Sequence, residues 1–303
     1  MKYSSTIAVL FTLCLSTVAK AKALPTRRDV SDPQVLNFAL TLEHLESAFY
    51  QQGLDHFSPS DFAAAGFPDW ARARFEQIRE HEATHVEFLS TALGLAGVSA
   101  VAPCKYNFHF TDVHSFVDTS EVLEAVGTTA YTGGAALVSN KEYLTAAASI
   151  LAVEARHAAW ISSAAQGYNA WDTAFQPALT PNQVYTVATS FIESCPASNA
   201  DSLPPLTVFA PLAVTNAHPG RTATLTFTAP TSSTPLHAAF ISGITAPVFV
   251  PIYNGNQVAI PRDLLGFTFC VVTTKDGGDL DDSTTVAGPA VLNFPFDSRG
   301  HTV

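Results

Sequence analysis

Two helical segments of this chain carry the same short pattern, Glu82-Ala83-Thr84-His85 and Glu154-Ala155-Arg156-His157. In both, the charged pair lies where an apolar face is needed. Each Glu-x-x-His sets a carboxylate and an imidazole about 60° apart on one side of a helix. Eleven glutamates and 10 histidines in 303 residues produce about 0.4 such pairs by chance. Their neighbours say more than their number. Phe75, Ile78, Val86, Leu89 and Leu93 fall within about 40° of Glu82, and Tyr143, Ala147, Ile150, Ile161 and Ala165 surround Glu154 in the same way. Glu80, Glu87 and Arg156 point outward, as solvated charges should.

Two more segments repeat the anomaly. In a first helix expected over 33–52, Glu43 and Glu46 lie inside an apolar arc running from Leu45 through Leu42, Ala39 and Leu36 to Leu40, beside Tyr50. Asn37, Thr41, His44 and Gln52 take the wet side. The second and fourth helices are expected over 69–94 and 140–167, and a third over 118–138. On the third, Glu124 shares its face with Val117, Tyr131 and Ala135, while Glu121 is turned about 60° away. Asp32-Pro33 and Pro68-Asp69 supply helix starts.

At least four glutamates and two histidines are thus aimed at one interior. A single unpaired buried carboxylate costs several kcal/mol. No lysine or arginine shares these faces except Arg74 and Arg79 at an edge. Either the acids hold protons at raised pKa, or cations neutralise them. Two divalent ions balance four carboxylates. One Glu from each of two helices plus Glu-x-x-His from the other two is the ligand set of dinuclear carboxylate bundles. Here that set is Glu82, His85, Glu154, His157, Glu124 and either Glu43 or Glu46. Oxygen-rich donors with two imidazoles suit iron, or manganese, better than zinc. Tyr50 and Tyr131 are placed to hydrogen-bond the ligands or carry an electron.

About 23 residues without strong pattern separate the second and third helices, whereas the third and fourth are joined tightly. One long crossover among four helices is ferritin-like connectivity. A shorter helix is expected near 181–195, outside the bundle. Beyond about residue 200 the period shortens to two (TATLTFTAP, HAAFISG, PVFVPIY, GFTFCVVTT), and Asn254-Gly255 marks a hairpin turn. The expected fold is α+β and multidomain. A ferritin-like four-helix bundle over 33–196 precedes a C-terminal β-sandwich over 203–303, immunoglobulin-like and of about seven strands.

Lys2, the apolar run IAVLFTLCL and small residues at Ala19, Ala21 and Ala23 read as a signal peptide over 1–23. Nine apolar residues are too few to span a bilayer, so no membrane span is expected. In an oxidising compartment, Cys104 in a Pro-flanked loop is expected to pair with Cys195, leaving Cys270 a buried, inert strand thiol. A formal charge of −11 argues against nucleic acid as a partner. The acidic loop from Asp276 to Asp282 lacks EF-hand spacing and reads as a solvated turn.

The stretches FALTLEHLESAFY, HEATHVEFL, EVLEAVGTTAYTGGAA and ILAVEARHAAWI resemble the ferritin-like domain of secreted fungal proteins. Those are described as stress-response and late sexual development proteins, kin to plant desiccation-related proteins. PCKYNF and VAGPAVLNF extend the resemblance over nearly all the chain after the leader. It implies Glu43, followed by Tyr50, as the first-helix ligand in preference to Glu46. It also implies Glu124, followed by Gly127, with Glu82, His85, Glu154 and His157 completing the set. The activity expected of such a dinuclear site is metal-dependent oxidation, such as ferroxidase or O2/peroxide chemistry, in stress or development. The cofactor expected from the donor set is two iron ions per chain, with manganese as the alternative. The competing expectation is a non-enzymatic coat, wall or protective protein whose bundle is structural. In either case the expected location is extracellular or the cell wall, and the β half is the part suited to contact a surface.

Overall fold

The structure is a computed structural model and describes residues 30–231 and 234–303. The leader expected over 1–23 lies outside the described residues. Helix α1 (Asp32–His56) opens with Pro33 in its first turn, and the Ser31 amide donates to the Gln34 side chain at 3.0 Å. A short α2 (Pro59–Ala64), which the apolar pattern did not announce, is started by a Ser58/Asp61 capping box. Helix α3 (Ala71–Leu95) ties back to α1. The Arg72 guanidinium donates to the carbonyls of Leu54 (2.8 Å) and Phe57 (2.9 Å) at the α1 C-terminus.

The crossover that follows contains β1 (Lys105–Tyr106). Helix α4 (Val113–Gly134) begins five residues earlier than the apolar pattern predicts. Asp112 and Ser115 cap it reciprocally: the Ser115 amide donates to Asp112 at 2.7 Å, and the Asp112 amide to the Ser115 hydroxyl at 3.0 Å. Helix α5 (Lys141–Trp160) is capped by Asn140, and the carboxylate of Asp32 accepts from the Ser139 and Asn140 amides at 2.6 and 2.8 Å. The start of α1 thereby fixes the start of α5. A π-helical turn, Ile161–Ala165, ends it. Helix α6 (Pro181–Ala188) stops short of the expected 195, because Ile192–Ser194 forms β2 and pairs antiparallel with β1. That pairing brings Cys104 and Cys195 to a Cα separation of 4.3 Å, where they form a disulfide.

Helix α1 packs against α3, α4 packs against α5, and α1 meets α4 along the middle. The two central helices are buried almost all round. Asn37 and Thr41, expected on a wet face, are buried because the crossover lies over them. The Asn37 amide donates to the Ser99 carbonyl (3.2 Å), its oxygen accepts from the Val101 amide (2.8 Å), and His44 donates to the Val101 carbonyl (3.1 Å). A long loop over a helix can bury polar side chains if they satisfy the loop's backbone.

Among the described residues, seven antiparallel strands follow. They are β3 (Ala213–Thr215), β4 (Thr222–Thr226), β5 (His237–Ile241), β6 (Val248–Pro251), β7 (Gln257–Ala259), β8 (Gly266–Thr273) and β9 (Thr285–Phe294). They form one sheet of order β3-β4-β7 and another of order β6-β5-β8-β9. All eight residues of β8 are buried, so the four-stranded sheet is covered on both faces. Phe240, Cys270 and Val272 face the other sheet and pack with Leu225 and Val258. Ala239, Ile241, Phe269 and Val271 face the helices and share a core with Leu179, Val184 and Val187. Glu121 also faces this junction and accepts from Asn293 at 3.2 Å. Burial pushes the Cys270 thiol up to about 12, which leaves it unreactive. Lys275 holds the acidic loop together, donating to the Asp279 carbonyl and pairing with Asp281 at 3.3 Å.

Candidate metal centre

The apolar stripes of four helices meet at the middle of the bundle, and their polar exceptions meet there too. Helix α1 contributes Glu43, α3 contributes Glu82 and His85, α4 contributes Glu124, and α5 contributes Glu154 and His157. All four carboxylates are fully buried. Ligand atoms of Glu43, Glu82, His85 and Glu154 lie within 4.8 Å of one another, as do those of Glu82, Glu124, Glu154 and His157. Glu82 and Glu154 belong to both groups. Each group therefore offers three carboxylates and one imidazole.

Within each group the contacts have the form of donors around a common point. His85 Nδ1 is 3.2 Å from Glu43, 3.1 Å from Glu82 and 3.3 Å from Glu154. His157 Nδ1 is 3.2 Å from both Glu82 and Glu124. A ring nitrogen carries at most one proton and cannot serve three acceptors. Adjacent donors of an ion bound at about 2.1 Å sit about 3.0 Å apart, close to these spacings. Among the described residues, Glu82 Oε1 and both oxygens of Glu154 have no hydrogen-bond partner although they are buried. Buried carboxylate oxygens left in that state are costly unless a cation takes them up. The donor set of each group is suited to a metal ion.

The electrostatics point the same way. Burial pushes Glu43 up to about 7, against the hydrogen bond from His85 that pulls it down. Burial, and then the neighbouring carboxylates, hold Glu154 and Glu46 well above the ordinary range. Glu82 goes the other way. Burial would raise it, but the neighbouring imidazoles of His157 and His85 outweigh that and hold it at about 2. Burial disfavours charge on the imidazoles, yet the carboxylates overcome it and lift both His85 and His157 to about 10. Without metal, protons perform the neutralisation that ions would otherwise supply.

The surrounding groups orient the donors. Tyr50 and Tyr131 are both buried and work crosswise: Tyr50, on the helix of Glu43, donates to Glu124, and Tyr131, on the helix of Glu124, donates to Glu43. Burial and these carboxylates hold both phenols well above 10, so they stay protonated donors. His81, exposed at the rim, meets His157 Nε2 at 2.9 Å with the two rings stacked, which sets the orientation of that imidazole. Its place four residues before His85 is the signal that put it beside the metal face. From Tyr50 a run of rings leads outward, through Phe75 (6.4 Å between centroids) to Trp160 (5.0 Å) and Trp70 (6.1 Å). Trp70 is 44% exposed.

Every residue expected at the site is brought to it, with two distinctions. Glu46 is buried beside the cluster but belongs to neither group of four. Glu121 is outside the site altogether, at the junction with the sheet.

Residues 31–167 match the family model described as a ferritin-like domain. The helical half contains a ferritin-like domain. Over 168 residues, 55% of the chain, the sequence is 25% identical to Protein rds1 of Schizosaccharomyces pombe. The chain spans 41% of that relative's length. Among solved structures, a conserved hypothetical protein from Mycobacterium tuberculosis overlaps 48% of this chain and 96% of its own. The identity is 16% and the TM-score 0.38. The ferritin-like domain is followed by the two antiparallel sheets, in an α+β architecture. No helix among the described residues is long and apolar enough to cross a membrane.

Proposed function

We propose that the ferritin-like domain binds two divalent metal ions, iron or alternatively manganese, and carries out metal-dependent oxidation. Glu43, Glu82, His85 and Glu154 would hold one ion, and Glu82, Glu124, Glu154 and His157 the other. The observation that carries this reading is the set of orphaned oxygens on Glu82 and Glu154, facing two imidazole nitrogens that have more acceptors than protons. When bound, such ions supply redox chemistry with Fe(II), O2 or peroxide as reactant. The protein's part is positional. Tyr131 and Tyr50 hold Glu43 and Glu124 in place, and His81 holds His157. The apolar layer limits water. Tyr50 also begins the ring path to Trp70, which suits it to pass an electron.

Anaerobic loading with Fe(II) is expected to give about two irons per chain, and admitting air should raise the near-ultraviolet absorbance as Fe(II) is oxidised. Glu82→Ala removes a carboxylate common to both groups and should abolish both results. A variant that binds and oxidises iron like the parent overturns the ligand assignment. A metal-replete parent that oxidises nothing makes the domain a structural or protective one. We place the protein in the extracellular space or cell wall, a reading supported by its disulfide. A role in stress or development rests on the family resemblance.

A further inference from the structure

One end of the bundle is not filled. Beyond the carboxylates, α1, α3, α4 and α5 surround a pocket of about 40 Å3 within its walls, open at the mouth. The space exists because each of the four helices presents an alanine to it: Ala39, Ala92, Ala130 and Ala147. Leu42 and Leu89 line its floor, and the half-exposed Phe88 stands in its wall. Among the described residues no charged side chain lines it, and the only side-chain hydroxyls on it are those of Tyr131 and Tyr143. The Tyr131 hydroxyl is already committed to Glu43.

Its position matters as much as its lining. Ala39 lies one helical turn before Glu43, and Leu89 lies one turn after His85. Tyr131 is common to both places, with its ring on the pocket and its hydroxyl on a carboxylate of the centre. A wall of this kind offers nothing to a hydrated ion, whose water shell it cannot replace. It suits an uncharged hydrocarbon-like molecule, because apolar concave sites with one or two polar groups at the end are the usual form of small-molecule sites.

The geometry points to a binding site for a small apolar organic molecule, an alkyl chain or a single aromatic ring, seated with its inner end against Tyr131. The binding itself stands on the pocket alone. It does not depend on the metal reading above.

The test is ligand-observed NMR on the full chain with n-alkanols from butanol to decanol and with toluene, and with glycerol and choline as polar and charged controls. Binding is expected for the apolar series only, each methylene tightening it by about fourfold until the pocket is full. Ala147→Phe, which fills the space, is expected to weaken decanol binding at least tenfold with metal content unchanged. Ala92→Leu, a smaller filling, serves if the first variant folds poorly. No binding by the parent, or equal binding by a folded filled variant, overturns the site. Metal analysis of the same samples separates the two readings. A metal-free parent that still binds the alkanols supports the pocket and defeats the oxidation, whereas a metal-loaded parent that binds none defeats the pocket alone.

Discussion

Gly127 is where the demands on one residue are tightest. A Cβ there would lie 2.8 Å from Glu46 Oε1 and 3.1 Å from Glu154 Oε2, so the missing side chain makes room for two buried carboxylates. Alanine favours a helix over glycine by up to about 1 kcal/mol, which makes the substitution a clean probe of space rather than helix formation. Gly127→Ala is expected to lower metal affinity about ten- to hundredfold by displacing Glu154, with far-ultraviolet circular dichroism unchanged. Titration with Fe(II) under anaerobic conditions measures it. Equal affinity would show that Glu154 has another place to go. The positions of the acids were legible in the sequence, because an acid in an apolar stripe is anomalous on one helix alone. The partners of the tyrosines were not. A helical wheel sets Tyr50 beside Glu43 and Tyr131 beside Glu124, whereas each hydroxyl crosses to the carboxylate on the other helix. Such an exchange exists only once two helices are packed.

At the level of elements, periodicity located the four long helices and misplaced several of their ends. Ends are decided by local capping, as with Asp112 and Ser115, or by competition from another pairing, as where β2 draws the chain out of helix after α6. The small β1-β2 sheet and its disulfide join the crossover to the segment leaving α6, closing a loop over a separation of 91. In the chain-entropy view such a link contributes roughly 4–5 kcal/mol. Cys104→Ser is therefore expected to lower the thermal midpoint by about 10 °C, given about 2–4 °C per kcal/mol for chains of this size. Metal content should be unchanged, since neither cysteine belongs to the ligand groups. Matched melting of the two proteins would mean that the loop is already closed in the unfolded ensemble. The same level explains why GFTFCVVT could not reveal its neighbours: a strand buried on both faces loses the alternation that tells one side from the other.

On the scale of the whole molecule, helices and sheet share a core through Phe269 and Val271, so the bundle and its buried acids sit in one continuous interior. Linkage then ties the charge state of the centre to global stability. In the unfolded chain its acids titrate near 4.5 and its imidazoles near 6.5. In the folded, metal-free chain Glu43 is pushed up to about 7 by burial, Glu154 and Glu46 rise by the same cause, and His85 and His157 reach about 10 through their carboxylate partners. Across pH 4.5–10 the folded state thus holds more protons than the unfolded one, and stability falls as pH rises. Glu82 does not offset this. Held at about 2, its contribution is complete above 4.5 and is lost only as pH falls toward 2. Metal reverses the trend, because ions bind the deprotonated ligands and replace the protons. The gain in thermal midpoint on reloading chelator-treated protein is expected to be small at pH 5 and to widen steadily through pH 6, 7 and 8. Groups remote from the centre cancel in that difference. A gain independent of pH would mean that metal displaces no protons here, and that the carboxylates are not its ligands.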